Sequence, residues 1–185
     1  MIDWQAISQQ HSPLVWRTVT RLLSSGGADA ADCFQETFLS ALDVSRRHDV
    51  RNWPGLLQRL ATTRALDQLR KRKRDRSRTS DNGRATSTGL DIDPFVSRSP
   101  GPEALAQTAE LMGQLREALA ELPAQQGEVF CLRHLNDLSY QEIAEALAIS
   151  IDAVGVNLHR ARGRLRELRG GRCSGISRKA RRCIV

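Results

Sequence analysis

Apolar residues recur at helical spacing along most of the chain, most regularly in two neighbouring stretches near its C-terminal end. Ser139 and Glu142 have the spacing of a capping box, in which each side chain satisfies a free backbone N–H of the other residue. A helix is therefore predicted to start at Ser139. Ser150 predicts the start of a second helix, whose apolar stripe consists of Val154, Leu158, Ala161 and Leu165. Two short helices joined in this way are typical of a helix-turn-helix.

The second of these helices is the one that would enter a DNA major groove. When the apolar stripe faces inward, a step of about 100° per residue places the other residues of this helix on its flanks and on its outer face. These candidate DNA-binding residues are Asp152, Ala153, Gly155, Val156, Asn157, His159, Arg160 and Arg164. Any amphipathic helix pair shows such a pattern, but the closely spaced arginines between 160 and 169 favour DNA binding.

The first half of the chain also has helical patterning. Ser12 and Pro13 are predicted to open a helix that ends near Leu23, and Asp29 is predicted to cap a second. Asn52 and Pro54 then open a long helix that ends in a cationic run at 70–74. The residues predicted to be buried in the second and third helices are Phe34, Phe38, Leu42, Leu56, Leu57, Leu60 and Ala61. A further helix over 103–122 is predicted to pack on the helix-turn-helix through Leu105, Ala109, Met112 and Leu115 or Arg116.

These elements predict an all-α fold with two small helical domains, at 1–75 and 103–168. Between them, 76–102 is rich in Ser, Thr, Asp, Gly, Arg and Pro, which predicts a flexible linker. The basic stretch 169–185 contains no acidic residue and is predicted to be a disordered tail. Such a tail either adds non-specific DNA affinity or is inert, and composition does not decide between the two.

Charge narrows the choice of partner. The 185-residue chain has a formal net charge of +7 and a pI near 10.0, which indicates a polyanion such as nucleic acid, with an anionic membrane surface as the alternative. No apolar run reaches the ~18 residues needed to span a bilayer, so a cytoplasmic protein without membrane insertion is expected. The cationic run at 70–74 favours phosphate contacts, although a solvated helix end would have the same composition.

The four cysteines lack paired spacing. Cys33 and Cys131 fall among apolar residues of predicted helices, where a free cysteine usually acts as a small hydrophobe. Cys131 and His134 are too few to hold a structural zinc ion without further ligands. A reducing cytosol disfavours a bridge between Cys173 and Cys183. No metal or other cofactor is expected.

The segment 122–168 resembles region 4 of bacterial RNA polymerase sigma factors, especially the small extracytoplasmic-function (ECF) type. The matching motifs are Leu122-Pro123, Val129-Phe130, Leu132-Arg133, Leu138-Ser139-Tyr140, Glu142-Ile143-Ala144, Val154 and Arg160-Ala161-Arg162. The resemblance implies that the helix-turn-helix recognises the upstream (−35) promoter element and that this domain contacts the β flap of the polymerase. Ala153, Gly155 and Asn157 stand where the family often carries threonine, lysine and arginine.

Residues 10–75 are similar to region 2 of the same family. The resemblance implies that an acidic surface docks on the coiled coil of the β′ subunit of core RNA polymerase, through Asp29, Asp32, Gln35 and Glu36. It also implies that the third helix captures and melts the downstream (−10) element, through Thr63, Arg64, Asp67, Gln68, Arg70, Lys71, Arg72, Lys73 and Arg74. Thr62-Thr63 replaces an Arg-Asn pair usual in the family, and Leu56 replaces a tryptophan. On composition alone, Asp29 and Asp32 could instead simply favour a helix N-terminus.

The sequence thus predicts a sigma factor whose partners are core RNA polymerase, promoter DNA and an anti-sigma factor. No catalytic residue is expected, since no nucleophile-and-base set, phosphate loop or paired carboxylates stand out. Two alternatives remain open at this point. One is a stand-alone helix-turn-helix regulator, which would usually dimerise on paired half-sites. The other is an enzyme or RNA-processing factor with a basic surface.

Overall fold

A computed structural model describes residues 3–24, 28–78 and 102–172. Within these ranges the chain forms seven α-helices and no strand, which confirms the predicted all-α fold. The helices are α1 (Trp4–Leu23), α2 (Ala28–Arg47), α3 (Trp53–Arg78), α4 (Pro102–Glu121), α5 (Ala124–His134), α6 (Tyr140–Leu147) and α7 (Ile151–Arg172). The central part of the predicted linker, 79–101, and most of the predicted tail, 173–185, lie outside the described residues.

The predicted start of α1 is wrong. The helix begins at Trp4, because the carboxylate of Asp3 accepts a hydrogen bond from the backbone N–H of Ala6 at 3.0 Å and caps it. Pro13 consequently lies inside α1, where it has no N–H to donate to the preceding turn. Ser12, predicted to be a cap, is itself helical, and its hydroxyl donates to the backbone carbonyl of Ser8.

The start of α3 is as predicted, but its end is not. Asn52 Oδ1 accepts from the backbone N–H of Gly55 at 2.9 Å, which is an N-cap bond. At its other end α3 continues past residue 74 to Arg78, because no helix breaker occurs in the cationic run. Leu57 and Ala61 are buried, whereas Leu56 and Leu60, also predicted to be buried, are only partly covered.

Small side chains, not the predicted aromatic ones, form the buried stripe of α2. Ala30, Cys33, Thr37 and Ala41 are fully buried. Their small volume lets α2 lie close to α3. Phe34 and Phe38 flank this stripe and are partly exposed together with Leu42; the ring centroid of Phe34 lies 5.6 Å from that of Trp16 and 5.1 Å from that of Phe38.

Two hydrophobic cores organise the described residues. The helix-turn-helix core lies within α5–α7 and consists of Val129, Leu132, Leu138, Ile143, Ala144, Val154 and Leu158. The other core, here called the shared core, joins α1–α3 to residues of the second half of the chain, namely Leu119, Leu122, Cys131 and Ala161. The two halves of the chain therefore pack against each other.

Helix α4 was predicted to pack on the helix-turn-helix, but most of its contacts are with α3. It lies mainly against α3, with a smaller contact on α7. Its buried residues are Ala118 and Leu119, whereas Ala109 is exposed and Met112, Leu115 and Arg116 are partly buried. The predicted contact residue Leu105 lies outside the described side chains. The apolar stripe of α4 thus turns toward the first half of the chain. None of the described helices is long and apolar enough to cross a bilayer.

Candidate nucleic-acid interface

Local hydrogen bonds fix both ends of α6 and the start of α7. Ser139 donates its backbone N–H to Glu142 Oε2 at 2.7 Å, and Ser139 Oγ accepts from the backbone N–H of Glu142 at 3.2 Å. The predicted capping box is therefore present, and the bond from Ser139 lowers the pKa of the Glu142 carboxyl. Ala148 ends α6 in the left-handed region with φ 53°, and Ser150 Oγ caps α7 by accepting from Ala153 N at 3.1 Å.

Helix α7 buries its predicted stripe, since Val154, Leu158 and Ala161 are almost fully covered and Leu165 is partly covered. The other predicted residues lie at the surface. Asp152, Val156, His159, Arg160 and Arg164 are exposed, and Ala153, Gly155 and Asn157 are partly exposed. The exposed set makes no side-chain hydrogen bond or ion pair with any other described residue. This face is available for a partner.

Asn157 and Gly155 of α7 differ in the groups that they could present to DNA. Asn157 Nδ2 donates to the backbone carbonyl of Ala153 at 2.8 Å, so its amide donor is engaged by its own helix. A Cβ added at Gly155 would meet nothing within 4 Å, so there is room for a side chain at that position. The sequence did not distinguish these two departures from the family pattern, because both positions border the apolar stripe, one on each flank of the helix.

One residue of this region escaped the sequence analysis. Gln126, in the first turn of α5, lines an open groove together with His159, Arg160 and Arg164 of α7. Its side chain is buried, and its Oε1 has no hydrogen-bond partner among the described residues. Gln126 belongs to no motif, and only the tertiary packing of α5 beside α7 reveals its position.

The basic residues of α3 are mostly engaged within the chain. Arg72 Nη2 and Nε lie 2.6 and 2.7 Å from Asp29 Oδ2, and Arg64 Nη1 lies 3.3 Å from Glu36 Oε2. Two candidate DNA-binding cations are therefore paired with two of the four candidate polymerase-docking residues. The remaining docking candidates, Asp32 and Gln35, are exposed on α2.

Other candidates on α3 face the second half of the chain. The hydroxyl of Thr63 donates to Glu128 Oε1 at 2.9 Å, and Lys73 Nζ lies 2.8 Å from Glu121 Oε1. Arg70 bridges Asp67 at 2.9 Å and the backbone carbonyl of Leu122 at 3.4 Å. Lys71 and Arg74 are exposed, and Gln68 is partly exposed. The candidate residues of α3 therefore share one helix, but many of them already bind other groups of the same chain.

The cysteines of the described residues offer no reactive or metal-binding thiolate. Cys33 and Cys131 are fully buried, and burial raises the pKa of the Cys33 thiol to about 11 and that of the Cys131 thiol to about 12. The described part of the chain contains no group of three potential metal ligands. Burial, and then the neighbouring Arg162 and Arg133, lowers the pKa of His134.

Comparison with protein families matches both halves of the chain. Residues 7–75 match the model of Sigma-70 region 2, and residues 107–165 match that of Sigma-70, region 4. The chain is 30% identical to the ECF RNA polymerase sigma factor SigE of Mycolicibacterium smegmatis over 167 residues, which cover 90% of this chain and 62% of SigE. It is 30% identical to SigW of Bacillus subtilis over 141 residues, covering 75% of this chain and 74% of SigW.

Solved structures show the same fold. The sigma factor RpoE of Bartonella quintana, crystallised with the anti-sigma factor NepR, aligns with a TM-score of 0.55 over 91% of this chain and 97% of RpoE, at 22% identity. CnrH, in complex with the cytosolic domain of CnrY, aligns with a TM-score of 0.51 over 91% of this chain and 88% of CnrH, at 21% identity. The matches to both sigma regions and to curated relatives agree, and the chain belongs to the ECF RNA polymerase sigma factors.

Proposed function

We propose that this chain binds core RNA polymerase and directs it to promoters, with α7 in the major groove of the upstream (−35) element. The observation that carries the proposal is the exposed outer face of α7, a helix whose start is capped by Ser150 directly after the end of α6 at Ala148. Arg160 and Arg164 suit phosphate contacts, and Asp152, Val156 and His159 suit base edges or base methyl groups. Gln126 adds an amide beside the arginines, which can donate to a backbone phosphate.

The acidic face of α2 is the proposed docking site for the polymerase. Asp32 and Gln35 are exposed and unpaired among the described residues, and Glu36 is exposed beside them. A patch with both carboxylate and amide groups suits a basic, helical partner surface such as the β′ coiled coil. The helix-turn-helix domain would contact the β flap. No covalent chemistry is assigned to the chain itself, and the polymerase would supply catalysis in the cytoplasm.

Helix α3 is the proposed reader of the downstream (−10) element. Its candidate contacts are Thr63, Arg64, Asp67, Gln68 and the run 70–74. Cations at this spacing can follow a phosphate backbone while the strands separate, and they would make binding strongly dependent on salt. Because several of them are paired within the chain, this role requires that they exchange intramolecular partners for DNA.

An anti-sigma factor is a further proposed partner. The structures of RpoE and CnrH were determined with the anti-sigma factor NepR and with the cytosolic domain of CnrY. The similarity of fold makes a comparable partner a reasonable proposal for this chain. A stand-alone helix-turn-helix regulator remains the second candidate, favoured by the free face of α7, which could bind duplex DNA without polymerase.

Reconstituted run-off transcription tests the proposal. Purified protein is combined with bacterial core polymerase and DNA fragments that include the sequence upstream of its own coding region. Discrete transcripts that require the protein are expected. Asp32→Arg should reduce them about tenfold or more, because it reverses an exposed docking charge without breaking an ion pair.

Asp43→Arg is the matched control for this variant. Asp43 lies on the same helix and is exposed, and its ion-pair partner among the described residues is Arg46, at 3.8 Å. Transcription by this control should remain near that of the unaltered chain. Tight binding of duplex fragments with no transcript in any reaction would instead support the stand-alone regulator.

A further inference from the structure

Positive charge is distributed unevenly along α7. Its first two turns, 151–158, contain no lysine or arginine, and the arginines of this helix begin at Arg160. In a helix-turn-helix, the first residues of the recognition helix contact base edges, whereas arginine and lysine often contact phosphates. The half of α7 that would face the bases therefore lacks arginine, the side chain that most often recognises guanine.

The polar side chains of this half offer few groups to bases. Its one amide belongs to Asn157, whose Nδ2 donates to the backbone carbonyl of Ala153 and is not free to pair with adenine. Its one carboxylate belongs to Asp152, which is exposed and forms no hydrogen bond or ion pair with the other described residues. Ser150 already caps the helix, so the carboxylate of Asp152 remains a free acceptor.

Val156 occupies the middle of the outer face of α7. A step of about 100° per residue places it opposite the buried stripe that begins at Val154, and 47% of its surface is exposed. Because valine is branched at Cβ, its rotamer is nearly fixed in a helix, and its methyl groups keep one direction. The apolar group that a base presents in the major groove is the 5-methyl group of thymine.

The neighbours of Val156 allow a close approach to DNA. A valine side chain is short, so it reaches a base only if the helix lies deep in the groove. Gly155 has no side chain, and the space around its Cα is open. Ala153 is small, and the amide of Asn157 is bonded back to its own helix. Neither flank of Val156 therefore carries a long side chain that would hold the helix away from the bases.

We propose that Val156 is a specificity-determining residue that contacts the 5-methyl group of a thymine in the upstream element. Asp152 lies one turn earlier on the same face and accepts a hydrogen bond from the amino group of a neighbouring cytosine. The inference rests on the proposed placement of α7 in the major groove. A carboxylate also disfavours guanine at the neighbouring position, because guanine presents two acceptors there.

Selection from a promoter library identifies the bases. The full-length chain is assembled with core polymerase and incubated with duplexes whose upstream segment is randomised, and the retained duplexes are sequenced. A thymine at one fixed position with a cytosine beside it is expected. An enriched segment without a fixed thymine would overturn this inference and leave the proposed function intact. A selection without any enrichment that depends on the chain would overturn the proposed function and, with it, the inference.

Replacement of the selected thymine by deoxyuridine isolates the methyl group, because the two bases have the same hydrogen-bonding groups. The Kd of the assembled polymerase for the substituted duplex should rise about three- to fivefold, as expected for one buried methyl group. The same replacement outside the upstream element provides the control duplex. In Val156→Ala the ratio of the two Kd values should fall close to one, a change that a merely structural role of Val156 would not produce.

Leu111→Ala is the matched control protein. Leu111 is an exposed apolar residue of α4, with 52% of its surface accessible, and it lies outside the helix-turn-helix. This variant should keep the full response to deoxyuridine. Equal responses of Val156→Ala and Leu111→Ala would overturn the assignment of the methyl contact to Val156.

Asp152→Asn tests the second contact in the same selection. Asparagine pairs with the N6 and N7 groups of adenine, so the base beside the thymine should change from cytosine to adenine. A preference for cytosine that survives this substitution would overturn the role of Asp152.

Discussion

Helix α7 is rich in arginine and α3 is rich in arginine and lysine, but the charged groups of the two helices have different surroundings. Arg160 and Arg164 of α7 face solvent and form no ion pair with the described residues. Arg72 and Lys73 of α3 lie 2.6 and 2.8 Å from Asp29 and Glu121. The same residue types are therefore available for DNA on one helix and neutralised on the other.

This difference shows why positive charge along a sequence is a weak guide to a nucleic-acid surface. Exposed ion pairs contribute little to stability, about 0–1 kcal/mol each, so they can be exchanged for phosphates at small cost. Because α3 makes several such ion pairs, the small costs of breaking them add up, and this sum reduces the affinity of α3 for DNA. If the proposed function holds, the cations on the outer face of α7 are already free to meet duplex DNA, whereas several cations of α3 must first lose their acidic partners.

The largest expected effect concerns the two cores. Leu66→Ala removes a fully buried side chain from the shared core, and Leu158→Ala removes one from the helix-turn-helix core. Each should lower the free energy of unfolding by about 2–5 kcal/mol, as is usual when a buried leucine is truncated. The two variants should differ in which part of the molecule unfolds first.

Urea unfolding distinguishes them because all three tryptophans lie in the first half of the chain, at Trp4, Trp16 and Trp53. Tryptophan fluorescence reports on α1–α3, whereas circular dichroism reports on every helix. Leu66→Ala should move both transitions, and Leu158→Ala should move mainly the circular dichroism transition. Coincident transitions in Leu158→Ala would indicate a single cooperative unit and would remove the distinction between the cores.

A smaller effect is expected for cations on the two helices. Arg160→Ala should weaken binding to a mixed-sequence duplex about three- to tenfold and reduce the slope of log affinity against log salt by about one. Lys73→Ala should change the affinity by less than about twofold, because Glu121 already holds its ammonium group in the free chain. Fluorescence anisotropy across a salt series provides both quantities.

Arg46→Ala is the control for loss of one surface charge. Arg46 is exposed on α2 and approaches Asp43 at 3.8 Å. It should behave like Lys73→Ala. If Lys73→Ala instead loses as much affinity as Arg160→Ala, α3 is accessible to DNA in the free chain, and the contrast with α7 disappears.

Local structure was predictable where its cause lies within a few residues. The capping box at Ser139, the caps at Ser150 and Asn52, and the stripe beginning at Val154 follow from short-range spacing and are confirmed. The start of α1 was missed because Ser12-Pro13 and Asp3 both give start signals, and the sequence alone does not rank them. Pro13 removes one helical hydrogen bond, and this cost is offset by the burial of Val15, Val19 and Leu22 of α1 in the shared core.

Contacts between the halves of the chain could not be predicted in the same way. The pairing of Thr63 with Glu128 joins residues 65 positions apart, and that of Asn136 with Thr62 spans 74. No short-range pattern encodes such distances, and the polar side chains involved look like ordinary surface residues. The candidate residues of α3 were chosen by family resemblance, which carries no information about what covers them in this chain.

The smallest expected effect concerns the turn that orients the exposed helix. Ala148 has φ 53°, a conformation that strains any residue with a Cβ by about 1–2 kcal/mol. Ala148→Gly removes this strain. Glycine also increases the conformational entropy of the unfolded chain, which lowers the free energy of unfolding by about 0.4–1 kcal/mol, so a net gain of roughly 0.5 kcal/mol in that free energy is expected. Ala146→Gly, two residues earlier within α6, should instead lose about 1 kcal/mol.

Urea unfolding followed by circular dichroism measures both changes, and duplex binding should stay within twofold because neither position lies on the outer face of α7. A loss of stability in Ala148→Gly would mean that the turn is not strained at Ala148. A loss of duplex binding at unchanged stability would mean that Ala148 holds α7 in position. The orientation of α7 would then depend on this short turn. The availability of α3 depends instead on its contacts with the second half of the chain.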